Sequence, residues 1–219
     1  MDERVLAIYP HPDDETIGKA GTLINHVKNG DEVTLVCATM GQMGRRMGNP
    51  FFANRETLTE IRKKELLDAC EAIGIQDVRM WMMQDKTLQF RKMSFLVDKI
   101  KAVMADVKPT IVYSYYPEHG VHPDHNALSE AITLAIQSLP KEQRPVFLGS
   151  VISKEGIEEL GAPDVINDVS HVVNEKIKAL QAHRSQTEYW LGAVNDTSIE
   201  ELLEKQSQEQ FWIYPDTKI

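Results

Sequence analysis

Short apolar segments alternate along this chain with longer segments whose apolar residues recur every three to four positions. The first pattern is typical of buried β-strands and the second of amphipathic helices. Strictly alternating strands and helices predict an α/β fold, a single-domain, Rossmann-like, doubly wound and mostly parallel sheet over residues 1–219. The predicted strands are residues 5–9, 33–38, 78–82, 110–114, 146–152, 165–166 and 211–214, and the predicted helices are residues 16–28, 54–73, 93–107, 123–138, 172–182 and 199–206.

Several of these helices carry their own end signals. Gly30 and Gly74 follow the first two helices, where a residue that tolerates a left-handed backbone commonly ends a helix. Pro123 suits the first turn of the fourth helix, since its fixed φ matches the helix and its missing N–H is not needed there. Ser198 and Glu201 have the spacing of a capping box at the start of the last predicted helix.

The composition restricts the class of protein. The chain has 219 residues, 42% hydrophobic and 26% charged, which fits one globular domain with a substantial core. Its formal net charge of −9 argues against nucleic acid or anionic membrane as a partner. No apolar run is long enough for a membrane span, the N-terminus does not resemble a signal peptide, and two cysteines cannot form a disulfide framework. We therefore expect a soluble cytoplasmic protein with a small-molecule or protein partner.

The tripeptide His-Pro-Asp occurs twice, at residues 11–13 and 122–124. Shuffling the chain would produce it roughly 0.02 times, so chance does not explain two copies. Each copy follows a predicted strand and precedes a predicted helix. A doubly wound sheet ordered 3-2-1-4-5 places its first and fourth strands side by side, with a ligand crevice at their carboxyl ends. The two motifs are therefore predicted to converge.

The residue types of the two motifs suit a metal ion. Imidazoles and carboxylates gathered in one crevice are ligands for a first-row divalent ion, most simply Zn²⁺, with Fe²⁺ nearly as suitable. Each motif taken alone has a plainer explanation, because aspartates after a strand often cap the next helix and a lone histidine is often structural. Their matched placement favours the metal site.

Other common ligand and catalytic motifs are missing from the sequence. The first predicted turn contains no Gly-x-Gly-x-x-Gly pattern, and Pro10 and Pro12 lack the amides that a pyrophosphate cradle needs. The chain also contains neither a Walker A pattern nor a Gly-x-Ser-x-Gly elbow. Dinucleotide binding and serine-hydrolase chemistry are therefore disfavoured.

Four segments together carry a family resemblance. They are Pro-His-Pro-Asp-Asp-Glu at residues 10–15, Arg-Lys-Lys-Glu at residues 62–65, His-Pro-Asp-His at residues 122–125, and the lysine, histidine and Ser-Gln pair within residues 178–186. In these segments the chain resembles the LmbE-like, PIG-L-type zinc deacetylases of N-acetylglucosaminyl compounds. Residues 43–52, Met-Gly-Arg-Arg-Met-Gly-Asn-Pro-Phe-Phe, are similar to the second-type deacetylases of bacillithiol biosynthesis within that family.

The resemblance implies a division of roles between the residues of the two motifs. Asp13 would be the general base, and a zinc-lowered water pKa would let a carboxylate accept its proton. An imidazolium at His122 would face the scissile carbonyl and stabilise the oxyanion. The implied zinc ligands are His11, Asp14 and His125, and Asp124 would orient His122.

The resemblance also implies a substrate and its contacts. The activity would be removal of an N-acetyl group from an N-acetylglucosaminyl conjugate, N-acetylglucosaminyl malate in particular, by a homo-oligomer. Acetylated chitooligosaccharides, other N-acetylglucosamine amides and a non-enzymatic metal- or sugar-binding module are the alternatives. We expect Arg62, Arg55 and Asp85 to contact the substrate, whereas Arg45 and Arg46 are equally well explained as solvated surface residues.

A few positions stay open. Gly120 stands where some relatives have a tyrosine that assists the oxyanion. Glu15 is expected to cap the first helix, and His119 is expected to be a plain loop residue. His171 is compatible with a helix cap, and His183 with either a place near the pocket or simple packing.

Overall fold

In the computed structural model, which describes residues 3–191 and 207–217, seven strands form one twisted sheet in the order β3-β2-β1-β4-β5-β7-β6. The first five strands pair in parallel, whereas β7 is antiparallel to both β5 and β6. This arrangement confirms the predicted mostly parallel α/β sheet with β1 beside β4. The strands are β1 (Arg4–Tyr9), β2 (Glu32–Thr39), β3 (Asp77–Met83), β4 (Ile111–Tyr115), β5 (Val146–Ser150), β6 (Val165–Asp168) and β7 (Gln208–Ile213).

Seven described helices flank this sheet. Five of them match predicted helices, while α5 and α7 were not predicted because both are short and have no strong apolar periodicity. The predicted helix over residues 199–206, with its Ser198–Glu201 capping box, lies outside the described residues. The helices are α1 (Ala20–Asn29), α2 (Leu58–Ile73), α3 (Met93–Val107), α4 (Pro123–Gln137), α5 (Lys154–Leu160), α6 (Val173–Ala182) and α7 (Arg184–Leu191).

The first helix begins four residues later than the apolar pattern predicts. Residues 12–19 form a series of turns instead, in which Asp13 has a φ of 97° and Gly18 a φ of 76°. Positive φ values are incompatible with a right-handed helix, so α1 begins only at Ala20. The extra turns keep the residues that follow β1 at the edge of the sheet rather than on a helix.

The core has two layers because helices cover both faces of the sheet. Val5 and Ala7 of β1 face the layer built with α1, α2 and α6, whereas Leu6 and Ile8 face the layer built with α3 and α4. All four side chains are fully buried, which explains why β1 reads as a continuous apolar run rather than an alternating one. That residues 1–219 form a single domain stays a prediction.

Two composition-based expectations concern membranes and cysteines. Among the helices in the described part of the chain, none combines the length and the apolar character that crossing a bilayer requires. Cys37 and Cys70 are both free and buried, and burial raises the pKa of the Cys37 thiol well above its usual range.

A buried ion pair attaches the antiparallel strand to the helices. Glu209 of β7 lies 2.8 Å from the Lys176 ammonium of α6, and both side chains are almost completely buried. The same carboxylate accepts hydrogen bonds from the backbone amides of Gly21 (3.0 Å) and Thr22 (2.7 Å) in the first turn of α1. Glu209 therefore satisfies helix amides that would otherwise be buried without partners.

We predict that Lys176→Met destabilises the protein by about 3–5 kcal/mol, since removing one member of a buried pair leaves the other charge uncompensated. The matched control is Lys28→Met, because Lys28 pairs with Glu175 at the surface, where its side chain is 51% exposed. That control should cost at most about 1 kcal/mol. Urea unfolding followed by circular dichroism measures both, and equal effects would contradict the proposed importance of the buried pair.

Candidate metal-dependent active site

The two His-Pro-Asp motifs meet in one cleft at the carboxyl ends of the strands, as the predicted strand order requires. Residues 5–7 of β1 pair with residues 111–113 of β4, so the loops that follow these strands lie side by side. Loops after β2 and β3 and the beginning of α7 complete a cleft of about 360 Å³. Its walls are formed by His11, Asp13, Asp14, Met43, Gly44, Arg45, Arg62, Asp85, Lys86, His122, His125 and Gln186.

Donor atoms of three side chains, His11, Asp14 and His125, converge in this cleft. His11 Nδ1 lies 3.2 Å from Asp14 Oδ2 and 3.2 Å from His125 Nε2, and His125 Nε2 lies 3.5 Å from Asp14 Oδ1. Ligands bound at about 2.1 Å to a tetrahedral ion lie about 3.4 Å apart, which is close to these three separations, although different oxygens of Asp14 face the two histidines. The arrangement is compatible with a divalent metal held by His11, Asp14 and His125.

Neighbouring groups orient each of these donors. His11 Nε2 lies 3.1 Å from Asp85 Oδ1 and 3.4 Å from Asp124 Oδ2. His125 Nδ1 donates to the carbonyl of Gly120 at 2.7 Å, which leaves its Nε2 free to bind a metal. Such partners fix the tautomer and ring orientation of a metal-binding histidine. A Cβ at Gly120 would lie 2.6 Å from the His125 Cβ, so this position favours glycine rather than the tyrosine of some relatives.

Tyr115, the last residue of β4, is a site residue whose direction the sequence did not reveal. Its hydroxyl donates to Asp14 Oδ1 at 2.6 Å, and its ring stacks on the His125 ring with centroids 4.0 Å apart. On its other side, the Lys19 ammonium lies 4.1 Å from the tyrosine ring centroid. Tyr115 therefore positions both Asp14 and His125, and its place at the end of β4 was the one available signal.

Three carboxylates surround His11 and favour a positive charge at this position. Asp14, Asp85 and Asp124 surround its ring, and although burial opposes a charged imidazole, these carboxylates raise the pKa of His11 well above its usual range. Burial together with the nearby His11 lowers the pKa of His125 to about 4, which favours its neutral form. A divalent ion would balance this concentration of buried carboxylates.

Asp13 faces the same cleft next to the three donors. Its side chain is 16% exposed, and burial raises its pKa to about 6 even though the Arg62 guanidinium, 3.1 Å away, works in the opposite direction. The Asp13 backbone has a positive φ, and the Asp13 amide donates to Glu15 Oε2 at 3.0 Å. Asp13 is therefore a carboxylate of raised basicity held beside the donors.

Arg62, on α2, binds the loop after β1 that carries Asp13. Its guanidinium donates to the carbonyls of Pro12 and, at 3.0 Å, Gly41, in addition to its ion pair with Asp13. A Cβ at Gly41 would overlap the Arg62 guanidinium, which explains the glycine there. Arg62 also lines the cleft, so the expected contact with the substrate stays a prediction beside these hydrogen bonds to the protein.

Glu15 and His183 form a buried pair behind Asp13. His183 Nε2 lies 2.5 Å from Glu15 Oε1, and both side chains are at most 1% exposed. Burial disfavours a charged His183, but the Glu15 carboxylate outweighs it and raises the pKa of this imidazole. Glu15 is therefore not the simple helix cap we expected, and His183 connects the loop after β1 to the region of α6 and α7.

A second carboxylate makes a similar connection from α2. Glu65 accepts from the Ser185 amide at 2.7 Å and from the Ser185 hydroxyl at 2.6 Å. The segments at residues 62–65 and 178–186, far apart in sequence, are thus joined behind the cleft.

The positions of His122 and Asp124 differ from the expected pairing. The Asp124 carboxylate accepts from the amides of Lys86 (2.7 Å) and Leu88 (2.9 Å) and faces His11, so it does not orient His122. Instead, the Asp124 amide donates to His122 Nδ1 at 3.2 Å, as the start of α4 requires. With Nδ1 accepting, a neutral His122 carries its proton on Nε2.

The surroundings of His122 favour its neutral form. Burial, followed by the nearby His11, lowers the pKa of His122, which disfavours the imidazolium we expected. A ring nitrogen of His122 lies within 4.8 Å of ligand atoms of His11 and His125, so this imidazole faces the same space as the metal donors.

Arg55 and Asp85, two of the residues expected to contact the substrate, lie in different places relative to the cleft. Arg55 is exposed, does not line the cleft, and donates to the carbonyls of Gln42 (3.1 Å) and Gly44 (2.7 Å). Asp85 lines the cleft, but one oxygen faces His11 and the other accepts from the Met43 amide at 2.8 Å. Arg55 therefore holds a loop, and Asp85 contacts His11, while its expected contact with the substrate stays a prediction.

The other residues whose roles the sequence left open lie either at the cleft or outside it. Arg45 lines the cleft, whereas Arg46 donates to the Gln186 carbonyl and lies over the Tyr189 ring. His119 packs near Gly156 outside the cleft, and exposed His171 is in a 3₁₀ turn before α6.

Comparison with known proteins finds a matching family and relatives that cover nearly the whole chain. The family profile PIG-L, described as GlcNAc-PI de-N-acetylase, matches residues 6–136. A Bacillus cereus protein named probable N-acetyl-alpha-D-glucosaminyl L-malate deacetylase 2 is 48% identical over 220 residues, which cover 98% of this chain and 99% of the relative.

Solved structures show how widely the fold is used. N,N'-diacetylchitobiose deacetylase from Pyrococcus horikoshii has a TM-score of 0.72 at 22% identity, covering 98% of this chain and 85% of that protein. The 4-carboxy-2-hydroxymuconate hydratase GalB from Pseudomonas putida has a TM-score of 0.74 at 18% identity, covering 98% of this chain and 97% of that protein. A deacetylase and a hydratase thus share the fold, so the fold alone does not decide the reaction.

We predict that His125→Ala lowers the affinity for divalent metal at least about 100-fold, since removing even an outer partner of a ligand typically costs 10–100-fold. Metal content after dialysis against a buffered zinc solution measures this, and far-ultraviolet circular dichroism checks folding. The control is His171→Ala, which changes an exposed histidine and should retain full metal content. A His125→Ala protein that kept stoichiometric metal would exclude His125 as a ligand.

Proposed function

The chain belongs to the PIG-L family of de-N-acetylases, and we propose that it is a metal-dependent hydrolase that removes the acetyl group from N-acetylglucosaminyl L-malate, the activity of a bacillithiol biosynthesis deacetylase. The observation that supports this most directly is the convergence of His11, Asp14 and His125 beside Asp13 and His122 in one open cleft. The full-length similarity to the Bacillus cereus relative supports the substrate.

We propose that His11, Asp14 and His125 hold Zn²⁺, with Fe²⁺ as the alternative in the cell. When bound, the ion supplies a Lewis acid for the amide carbonyl and lowers the pKa of water toward about 7. Asp14 is suited to this role because, although burial alone would raise it, the neighbouring His125 and His11 hold its pKa well below the usual range. It therefore stays ionised under all conditions relevant to catalysis.

Asp13 acts in this proposal as the general base. Its pKa of about 6 leaves it ionised at neutral pH while making it more basic than an ordinary aspartate. It accepts the proton of the attacking water and can pass that proton to the leaving sugar amine. Arg62 keeps the carboxylate in place and limits the rise of its pKa, which accounts for an arginine in a cleft that also binds a cation.

His122 acts as a neutral hydrogen-bond donor in this proposal. Because its Nδ1 accepts from the Asp124 amide, its Nε2–H is available to the carbonyl oxygen as negative charge develops there. A neutral donor in a site that already contains a metal ion avoids additional cation repulsion. The predicted homo-oligomer and the cytoplasmic location stay predictions.

We predict that Asp13→Asn keeps metal binding but lowers kcat by at least about 10², the usual scale of general-base catalysis. His122→Ala should lower kcat by about 10²–10³, because its hydrogen bond strengthens in the transition state. Steady-state kinetics with metal analysis of the same samples tests both variants. A metal-loaded variant with a nearly wild-type kcat would exclude the corresponding role.

The substrate is tested with N-acetylglucosaminyl L-malate, its methyl glycoside analogue and N,N'-diacetylchitobiose, with products measured by mass spectrometry. Each charge-assisted contact to a carboxylate contributes about 1.5–3 kcal/mol, so kcat/KM should be more than tenfold higher for the malate conjugate than for the methyl glycoside. Preference for the chitobiose would favour the oligosaccharide alternative. Metal-loaded protein that deacetylates none of the three would contradict the enzymatic proposal.

A further inference from the structure

Resting on the proposed function, we propose that Arg45 and Lys86 form the subsite that binds the carboxylates of the substrate's aglycone. Besides Arg62, they are the cationic side chains among the described residues that line the cleft. This assignment replaces Arg62 and Arg55, whose hydrogen bonds are made to the protein.

The other arginines near the cleft donate hydrogen bonds to the protein. Arg62 binds Asp13 and two backbone carbonyls, and Arg55 binds the carbonyls of Gln42 and Gly44. Arg46 donates to the carbonyl of Gln186. By contrast, within residues 3–191 and 207–217 the structure shows no hydrogen bond or ion pair made by the side chains of Arg45 or Lys86. Both are exposed, with their charges available to a ligand.

A set of hydrogen bonds joins the two loops that carry these cations. The Gln42 side chain donates to the Met83 carbonyl at 3.1 Å and accepts from the Asp85 amide at 3.1 Å. The Met43 amide donates to Asp85 Oδ2 at 2.8 Å. The loop after β2 is thereby attached to the loop after β3 immediately before Arg45 and Lys86, so both cations begin from fixed backbone positions at the same cleft.

Each cation is anchored further by its own loop. Arg55 binds the carbonyls of Gln42 and Gly44, which precede Arg45. The Lys86 amide donates to Asp124 Oδ2 at 2.7 Å, and Lys86 has a φ of 63°, a left-handed conformation that is costly for a residue with a side chain. Such strain persists only where surrounding contacts enforce it, and it is often found at binding sites.

The chemistry of the two side chains fits a dicarboxylate aglycone on an otherwise acidic protein. A guanidinium binds one carboxylate through two parallel N–H donors, and an ammonium provides a point charge for a second carboxylate. Asp85 connects this subsite to the metal site, because its other oxygen faces His11. An aglycone held by the two cations would therefore lie on the β2 and β3 side of the proposed metal ligands.

The test compares Arg45→Gln, Lys86→Met and the double variant with wild-type protein, on N-acetylglucosaminyl L-malate and on the neutral methyl glycoside. Each single change should lower the ratio of the two kcat/KM values about tenfold, and the double change should lower it further. Arg45→Lys should restore part of the ratio, because it retains the charge but not the paired donors. The matched control is Arg46→Gln, which removes a neighbouring positive charge outside the subsite and should leave the ratio within threefold of the wild-type value.

The outcomes separate this inference from the proposed function. A wild-type protein that processes both substrates equally well would contradict the anionic aglycone, and the subsite with it. A wild-type preference that survives in the double variant would overturn the subsite alone and leave the proposed function standing. An equal loss of preference in Arg46→Gln would show that net charge, rather than the two named side chains, sets the selectivity, and would also overturn the subsite.

Discussion

The parallel pairing of β1 with β4 is the constraint on which the cleft depends. His11 and His125 are 114 positions apart in the chain, yet their ring nitrogens lie 3.2 Å apart because each follows one of these two central strands. Both strands are buried between two helical layers, and a one-residue shift in their register would turn their side chains toward the opposite layers and disrupt the packing of both. The packing of the core therefore sets the spacing of the proposed metal ligands.

Around that pair of strands, the protein buries more charged side chains than an ordinary hydrophobic core contains. Carboxylates from three segments, the loop after β1, the loop after β3 and the start of α4, approach His11 or Asp13, and each has a specific protein partner. Asp14 accepts from Tyr115, Asp124 accepts from two backbone amides, and Glu15 pairs with His183. A charged side chain is stable away from water only when its hydrogen bonds are satisfied. These contacts therefore explain how Asp14, Asp124 and Glu15 can be buried.

The same contacts link rigidity to the proposed chemistry. Arg62 and Glu65 lie on one face of α2, where the first contacts Asp13 and the second contacts Ser185. The loop after β1 is thus braced by α2 and, through Glu15 and His183, by the region between α6 and α7. A base and a set of metal donors held from several sides need little rearrangement during a reaction, which is the condition for effective electrostatic stabilisation of a transition state.

The fold and the residue types of the site could be predicted from sequence because they depend on local patterns. Continuous apolar runs indicated buried parallel strands, and the repeated His-Pro-Asp tripeptide after the first and fourth of them indicated where chemistry would occur. The partners of each side chain could not be predicted in this way. Asp124 faces His11 rather than its neighbour His122, Arg62 binds Asp13, and Tyr115 turns toward Asp14, because those directions depend on which loops become adjacent after the sheet forms. Composition and spacing specify which groups are present, whereas the packing of distant segments determines which atoms come within hydrogen-bonding distance.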